Sequence, residues 1–284
     1  MQKILVVGKT GQLARAIAAN KGTWEYEFLG RDEADLSDSD QLAQAIRSRD
    51  FDVLINTAAY TAVDKAEEER DLATKINGEA PGVLAKICAD KGAVMIHIST
   101  DYVFGLNWNR PLQEDDPTDP INAYGRSKWE GEEAIRKELN EHIIIRTSWL
   151  YGLTGHNFPK TMLRLAESRK ELKVVFDQVG NPTFADDLAE AIKTICGSGL
   201  KNSSFGTYHF SNEGVCSWYD FARETLRKNH PEVALEPVTS DQFPTAAKRP
   251  HYSVLNKKKI KDTFGLEIRH WQDALADFLE KLDS

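Results

Sequence analysis

A doubly wound α/β fold, a parallel sheet with a smaller interleaved α/β lid, is predicted by three features of the 284-residue chain. Short apolar runs alternate with amphipathic stretches through the first half, the pattern of strands crossing over through helices. A turn carrying two glycines follows the first apolar run at once and opens the first helical stretch. Beyond Tyr151-Gly152 the texture changes to shorter elements, separated by Gly180-Asn-Pro182, Gly197-Ser-Gly199 and Asn202-Ser-Ser204.

Taken in order, the first strand is expected over 3–8, where Lys3-Ile-Leu-Val-Val7 is nearly all apolar. A helix over 12–20 follows the glycine turn. A strand over 25–29 (Glu-Tyr-Glu-Phe-Leu) leads to a helix over 39–49, and a strand over 52–57 leads to a helix over 71–91. A strand over 93–98 comes next, then a helix over 121–139, whose N-terminal boundary is marked by Pro117 and Pro120. The strand 142–147 closes the half. Residues 1–150 then form a Rossmann-type domain. The helical pattern Ala185 to Cys196 and the strand-like Thr207 to Phe210 return to it, so 185–210 is expected back in the first domain. Residues 151–184 and 211–284 make up most of a substrate-binding lid.

Composition excludes several classes of function. At 41% hydrophobic residues the chain can bury one large core or two coupled ones. There is no apolar run long enough to span a bilayer, and a strand pattern rather than a signal peptide starts the chain, so a cytoplasmic location is expected. Net charge is −8, against general affinity for nucleic acid or anionic membranes. Cys88, Cys196 and Cys216 are widely spaced and read as buried or incidental thiols, without zinc or disulfide spacing. None of the seven histidines pairs at catalytic or metal spacing with a plausible nucleophile, and none is assigned chemistry.

Gly8-Lys9-Thr10-Gly11-Gln12-Leu13-Ala14 lies where a dinucleotide needs glycines. Gly8 permits a tight turn, Gly11 lets the backbone approach a pyrophosphate at the positive helix end, and Ala14 is small enough for helix-to-strand packing. About 20 residues further on, an acid would suit a ribose 2′-hydroxyl and an arginine a 2′-phosphate. The residue there is Arg31, which tilts the choice toward NADPH, helped by Lys9; the competing reading is a solvated loop charge. Asp35 and Leu36 follow and could border the adenine, although Asp35 serves equally well as a helix cap.

Tyr124-Gly-Arg-Ser-Lys128, placed about 24 residues after Ser99-Thr100-Asp101, brings together what ketone reduction needs. A phenol with an ordinary pKa of about 10 works as an acid near neutrality only if its anion is stabilised. Lysine at i+4 shares its helix face and can do that. Thr100, just past an apolar strand at the edge where ligands bind, supplies a hydroxyl to hold a carbonyl; it could also satisfy only backbone. With eight tyrosines in the chain, Tyr-x-x-x-Lys alone is weak. Asp64 reads as a helix cap and Glu67-Glu-Glu-Arg70 as a solvated face.

Taken with the run Asn56 to Glu67 and Ser99 to Phe104, these pieces resemble the extended short-chain dehydrogenase/reductases. Ala58 to Lys65, Arg146-Thr-Ser-Trp-Leu-Tyr-Gly152, Asn157-Phe with Lys160-Thr-Met-Leu163, Gly180-x-Pro-Thr183 and Arg249-Pro250 with Ser253 and Leu255 look like the dTDP-4-dehydrorhamnose reductases, over essentially the whole chain. The resemblance implies NADPH, or NADH less strictly, and a nucleotide-sugar substrate, dTDP-4-dehydro-L-rhamnose, whose product feeds surface polysaccharide. Thr100 would bind the C4 carbonyl, Tyr124 deliver the proton, and Lys128 bind the nicotinamide ribose and lower the phenol pKa. Gly11, Gln12 and Leu13 would face the pyrophosphate, with Gly8, Lys9 and Thr10 in the same turn; Ala58, Ala59, Tyr60 and Thr61 would line the nicotinamide side. Val63, Asp101, Tyr102 and Trp149 would surround the sugar, Trp149 being as readily a core residue. Arg249 could pair with the diphosphate. Some relatives are metal-bridged dimers using carboxylates, but the first helix offers Arg15, Ala16, Ala18 and Ala19 instead, so no metal site is carried over and a homodimer stays open. Another nucleotide 4-keto-sugar reductase or epimerase, or a non-catalytic regulatory subunit, are the rival readings.

Overall fold

In the computed structural model, which describes residues 2–105 and 108–283, the first half runs β1 (Lys3–Val7), α1 (Gln12–Ala19), β2 (Glu25–Leu29), α2 (Ser39–Arg47), β3 (Val53–Asn56), α3 (Arg70–Thr74), α4 (Ala80–Lys91), β4 (Val94–Thr100), α5 (Ala123–Glu138) and β5 (His142–Thr147). The second half continues with β6 (Leu150–Tyr151), α6 (Phe158–Ala166), β7 (Glu171–Val175), β8 (Val179–Gly180), β9 (Thr183–Phe184), α7 (Ala185–Gly197), β10 (Gly206–His209), β11 (Cys216–Ser217), α8 (Trp218–Leu226), β12 (Ala234–Val238), α9 (Lys258–Phe264) and α10 (Trp271–Asp283).

The main sheet has six strands in the order β10-β5-β4-β3-β1-β2, and every pairing in it is parallel. Strands buried on both faces read as near-continuous apolar runs, and β3 and β5, with Val53-Leu-Ile55 and Ile143-Ile-Ile145, are buried throughout. The edge strand β2 instead alternates, with Glu25 and Glu27 outward. Within β1 the alternation of side chains feeds two separate cores. Ile4 and Val6 pack with Leu13, Ile17, Leu188, Ile192 and Ile195 beneath α1 and α7, whereas Leu5 and Val7 pack with Leu42, Ile46, Leu84 and Ile87 on the other face. Truncating one of these buried leucines to alanine would cost about 2–5 kcal/mol.

The doubly wound fold is as the sequence predicts; three of the departures from the expected elements have a physical reason. The first strand stops at Val7 because Gly8 turns to φ 108°. The strand expected to end at 98 continues to Thr100, since its pairing with β5 persists as far as Thr100 opposite Thr147. The helix expected over 71–91 is interrupted by a π-helical turn at Lys75–Glu79. There the Asn77 side chain faces inward, accepting from the Tyr60 amide at 2.8 Å and donating to the Tyr60 carbonyl and the Ser127 hydroxyl, both at 3.0 Å.

The lid consists of β12 on β7, β11 on β8 and β6 on β9, packed by α6, α8 and α10. Its own cores hold Tyr151, Phe184, Phe221, Trp271 and Phe278, and Met162, Leu172, Val174 and Leu226. The chain passes between lid and sheet more than once: β10 pairs with β5, α7 packs on α1, and Ile260 and Phe264 of α9 sit in the sheet's first core. No helix among the described residues is long and apolar enough to cross a membrane.

Candidate active site

Strand order reverses between β1 and β3, which opens a crevice at their carboxyl ends. A cleft of about 620 Å³ occupies it, lined by Gly8, Thr10, Gly11, Gln12, Leu13, Arg31, Asp35, Leu36 and Ala58 to Thr61. Gly8 is obligatory twice over: its φ is +108°, and a Cβ there would stand 2.6 Å from Thr57 Oγ1. Gly11 begins α1 without any side-chain cap, and no acid occupies the first turn. Free amides at a positive helix end, bordered by glycine, fit a dinucleotide pyrophosphate. Arg31 extends from the rim with its side chain 76% exposed, its Nε 3.2 Å from Asp35. Asp35 does not cap α2; it also accepts from Ser37, and Asp38 takes the cap by accepting from Asp40 and Gln41. Lys9 is not drawn into the wall and lies 3.8 Å from Glu33.

A second cavity of about 240 Å³ opens off the first, sharing Thr57, Ala59, Thr61, Ile98 and Leu150 with it. Its walls bring together Val63, Thr100, Asp101, Tyr102, Tyr124, Lys128 and Trp149. Asn122 caps α5 by accepting from Gly125 at 2.7 Å, which fixes the turn that presents Tyr124. Gly125 allows this approach, for a Cβ there would stand 2.2 Å from the Tyr102 carbonyl oxygen. Burial pushes the Tyr124 phenol up to about 12, with contact from the Thr100 hydroxyl pulling the other way. The phenol is therefore protonated at neutral pH, as a proton donor must be.

Asp101 is 2% exposed. Its Oδ1 takes the Thr100 hydroxyl at 3.0 Å and its Oδ2 has no partner. Burial raises this carboxyl to about 7, against the pull of the nearby Ser253 and Thr100 hydroxyls. Trp149, with φ 48°, is the one non-glycine among the described residues with positive φ. Its ring stacks on Trp218 at 3.6 Å, and Gly180 makes room, since a Cβ there would meet the indole at 2.9 Å. A bulky side chain held in that conformation is strained, and the stacking fixes it as cavity wall.

Two connections escaped the sequence. Asp64 does not cap a helix: its carboxylate accepts from Arg249 at 2.7 and 3.2 Å and from the Ala247 amide at 3.0 Å. Arg249 thereby ties lid to sheet and also touches Tyr102 at the smaller cavity. Behind the wall, Lys128 is 1% exposed, with Nζ 2.7 Å from the Ile98 carbonyl and 3.1 Å from His97 Nε2. Burial draws Lys128 down to about 8, opposed by Glu132 one turn along. Burial alone would raise Glu132, but Arg146, Arg136 and donation from Ser99 outweigh it and hold the carboxylate at about 2. Trp218 and His97 had no spacing to announce them; a polar residue inside the apolar run of β4 was the only available sign of His97. Among the described residues no group of three His, Cys, Asp or Glu side chains converges to hold a metal ion.

Comparison with known proteins agrees over the full length. A family model described as RmlD substrate binding domain matches residues 1–284. The spore coat polysaccharide biosynthesis protein SpsK of Bacillus subtilis (strain 168) is 41% identical, covering 100% of this chain and 99% of that protein. The crystal structure of a dTDP-4-dehydrorhamnose reductase from Clostridium acetobutylicum superposes with a TM-score of 0.94 at 40% identity, covering 99% of this chain and 100% of that one. A dTDP-4-dehydrorhamnose reductase from Bacillus anthracis, solved in complex with NADP, superposes with a TM-score of 0.93 at 35% identity, with 99% of each chain covered.

Proposed function

Because the chain belongs to the RmlD substrate binding domain family, we propose that it is an oxidoreductase that reduces dTDP-4-dehydro-L-rhamnose to dTDP-L-rhamnose with NADPH, NADH serving less well. The observation that carries this reading is the meeting of Thr100, Tyr124 and Lys128 on one small cavity that opens into the glycine-floored cleft. A reduced nicotinamide held in that cleft supplies hydride to C4 of the sugar. The residues of the chain do the rest. Thr100 holds the C4 oxygen, and Tyr124 donates its phenolic proton as negative charge develops there. Lys128, in its charged form, binds the nicotinamide ribose and stabilises the phenolate left behind. Asp101 and Tyr102 grip the hydroxylated side of the sugar, Val63 and Trp149 its apolar side. Gly8 to Leu13 cradle the pyrophosphate, Arg31 with Lys9 meets the 2′-phosphate, and Asp35 and Leu36 border the adenine.

In this arrangement 1–150 with 185–210 binds the cofactor, while 151–184 and 211–284 mostly bind the nucleotide sugar. The test is oxidation of NADPH, followed by its absorbance, with enzymatically prepared dTDP-4-dehydro-L-rhamnose and with the UDP-linked 4-keto-sugar. Turnover confined to the dTDP sugar supports the proposal; tight NADPH binding without turnover of either would overturn it in favour of a binding subunit.

A further inference from the structure

A half-buried amide and three buried side chains form a chain whose hydrogen-bond direction is fixed from one end. The amide of Ala58 can only donate, and it donates to Asn56 Oδ1 at 3.1 Å. Asn56 therefore turns its NH2 toward His97, where Nδ2 and Nδ1 are 3.1 Å apart. His97 Nδ1 must accept. Burial keeps this imidazole well below its ordinary pKa, so it is neutral and carries a single proton. That proton is on Nε2, which lies 3.1 Å from Lys128 Nζ. An N–H pointed at that distance needs a lone pair, which an ammonium lacks and an amine has. The amine keeps its own N–H for the Ile98 carbonyl at 2.7 Å.

We propose that Asn56 and His97 are positioning residues that hold Lys128 as the neutral amine, and that the lysine takes one proton from solvent as the nicotinamide ribose draws it off the imidazole. The proposal rests on the reading that Lys128 contacts that ribose. On this reading the charge that stabilises the phenolate arrives with the cofactor. The charges facing Lys128 leave room for this. Glu132, from its own helix, is occupied by Arg146 of β5 at 2.9 and 2.7 Å and by Arg136 at 2.7 Å. His142 of β5 lies beyond His97 and is drawn below its ordinary value by burial, and Tyr124 is a neutral phenol. Burial already weakens the ammonium, and the polarity of the chain acts in the same direction.

Asn56→Asp is the informative variant, because it exchanges the NH2 donor for an acceptor oxygen and so inverts the chain, its negative charge favouring the ammonium as well. Its second oxygen would accept from Nδ1, move the ring proton there and offer Lys128 a lone pair. Nitrogen-15 NMR of histidine-labelled protein, with His97 assigned from the His97→Asn spectrum, reads the tautomer in the unaltered chain. Carbon-13 NMR at lysine Cε, with Lys128 assigned from Lys128→Met, reads its titration. The expected result is a proton on His97 Nε2, a Lys128 midpoint below about 7 and so far below the other lysines, and a rise of about one unit or more in Asn56→Asp. Adding NADPH should raise the Lys128 midpoint as well. A proton on Nδ1, or a Lys128 that is still charged at neutral pH, overturns the proposal even if the variant fails to fold. NADPH that binds without moving the Lys128 titration overturns the proton uptake. NADPH that fails to bind removes the cofactor reading and the uptake with it, while the tautomer still decides whether Asn56 and His97 hold the amine.

Discussion

Tyr124, Arg31 and Asp101 each make a different demand on their surroundings, and each can be tested alone. Tyr124→Phe keeps the ring and removes the proton donor, so turnover should fall by about 10²–10⁴-fold while NADPH titrates as before; full turnover would remove the acid from the mechanism. Arg31 extends into solvent beside Asp35, and Arg31→Ala should reduce the preference for NADPH over NADH by roughly tenfold, the worth of one charge-assisted bond. Competitive cofactor titrations give that ratio. Asp101 carries its folded pKa, about 7, above the unfolded value of 3.8. The folded chain thus binds more protons between those limits, and this residue's contribution to stability falls as pH rises from about 4 to about 7. Asp101→Asn should flatten that part of the Tm–pH curve; an unchanged slope would show that the carboxyl ionises without cost. Thr100, Tyr124 and Lys128 were legible because spacing along a chain translates directly into position on a strand end and a helix face. Asn56 and His97 were not, since they are neighbours across a sheet, 41 residues apart in sequence. Nor could Asp64 be read correctly, because its partner Arg249 lies 185 residues away.

Helix α5 carries Tyr124 and Lys128, and its register against the neighbouring π-helical turn sets where both side chains point. Gly131, one of its glycines, packs so closely that a Cβ would stand 2.0 Å from the Asn77 backbone oxygen. In an ordinary helix interior, glycine to alanine stabilises by about 1 kcal/mol. Here Gly131→Ala should destabilise by about 1–3 kcal/mol, because backbone rather than a flexible side chain must give way. Denaturant unfolding measures the sign, and a gain in stability would mean that α5 can slide. The main strands and helices were recoverable from hydrophobic pattern since each buries a regular stripe or both faces. The π-helical turn was not. It departs from the helical repeat by a single residue, and what stabilises it, the bonds from Asn77 to Tyr60 and Ser127, comes from outside the helix.

At the scale of the whole molecule, sheet and lid meet through many polar contacts, Arg249 with Asp64, Arg269 with Asp187 and Asn122 with the Lys248 carbonyl among them. The pair of Arg249 with Asp64 is partly exposed, so its loss should cost stability no more than about 1 kcal/mol. If Arg249 meets the diphosphate, Arg249→Ala should raise KM for the nucleotide sugar about tenfold or more with Tm nearly unchanged. A large drop in Tm with KM intact would instead make it a strut. The return of the chain to the sheet has a consequence for how the protein is made. When a ribosome has released the first 150 residues, β5 is still a bare edge, because its partner β10 begins at Gly206 and the α7 that covers α1 begins at Ala185. An apolar strand, Ile143-Ile-Ile145, must therefore wait through more than fifty residues of synthesis before it is covered. During that interval the nascent chain presents an unprotected strand edge to its neighbours, which makes it a client for holding chaperones and gives slow translation a cost in yield.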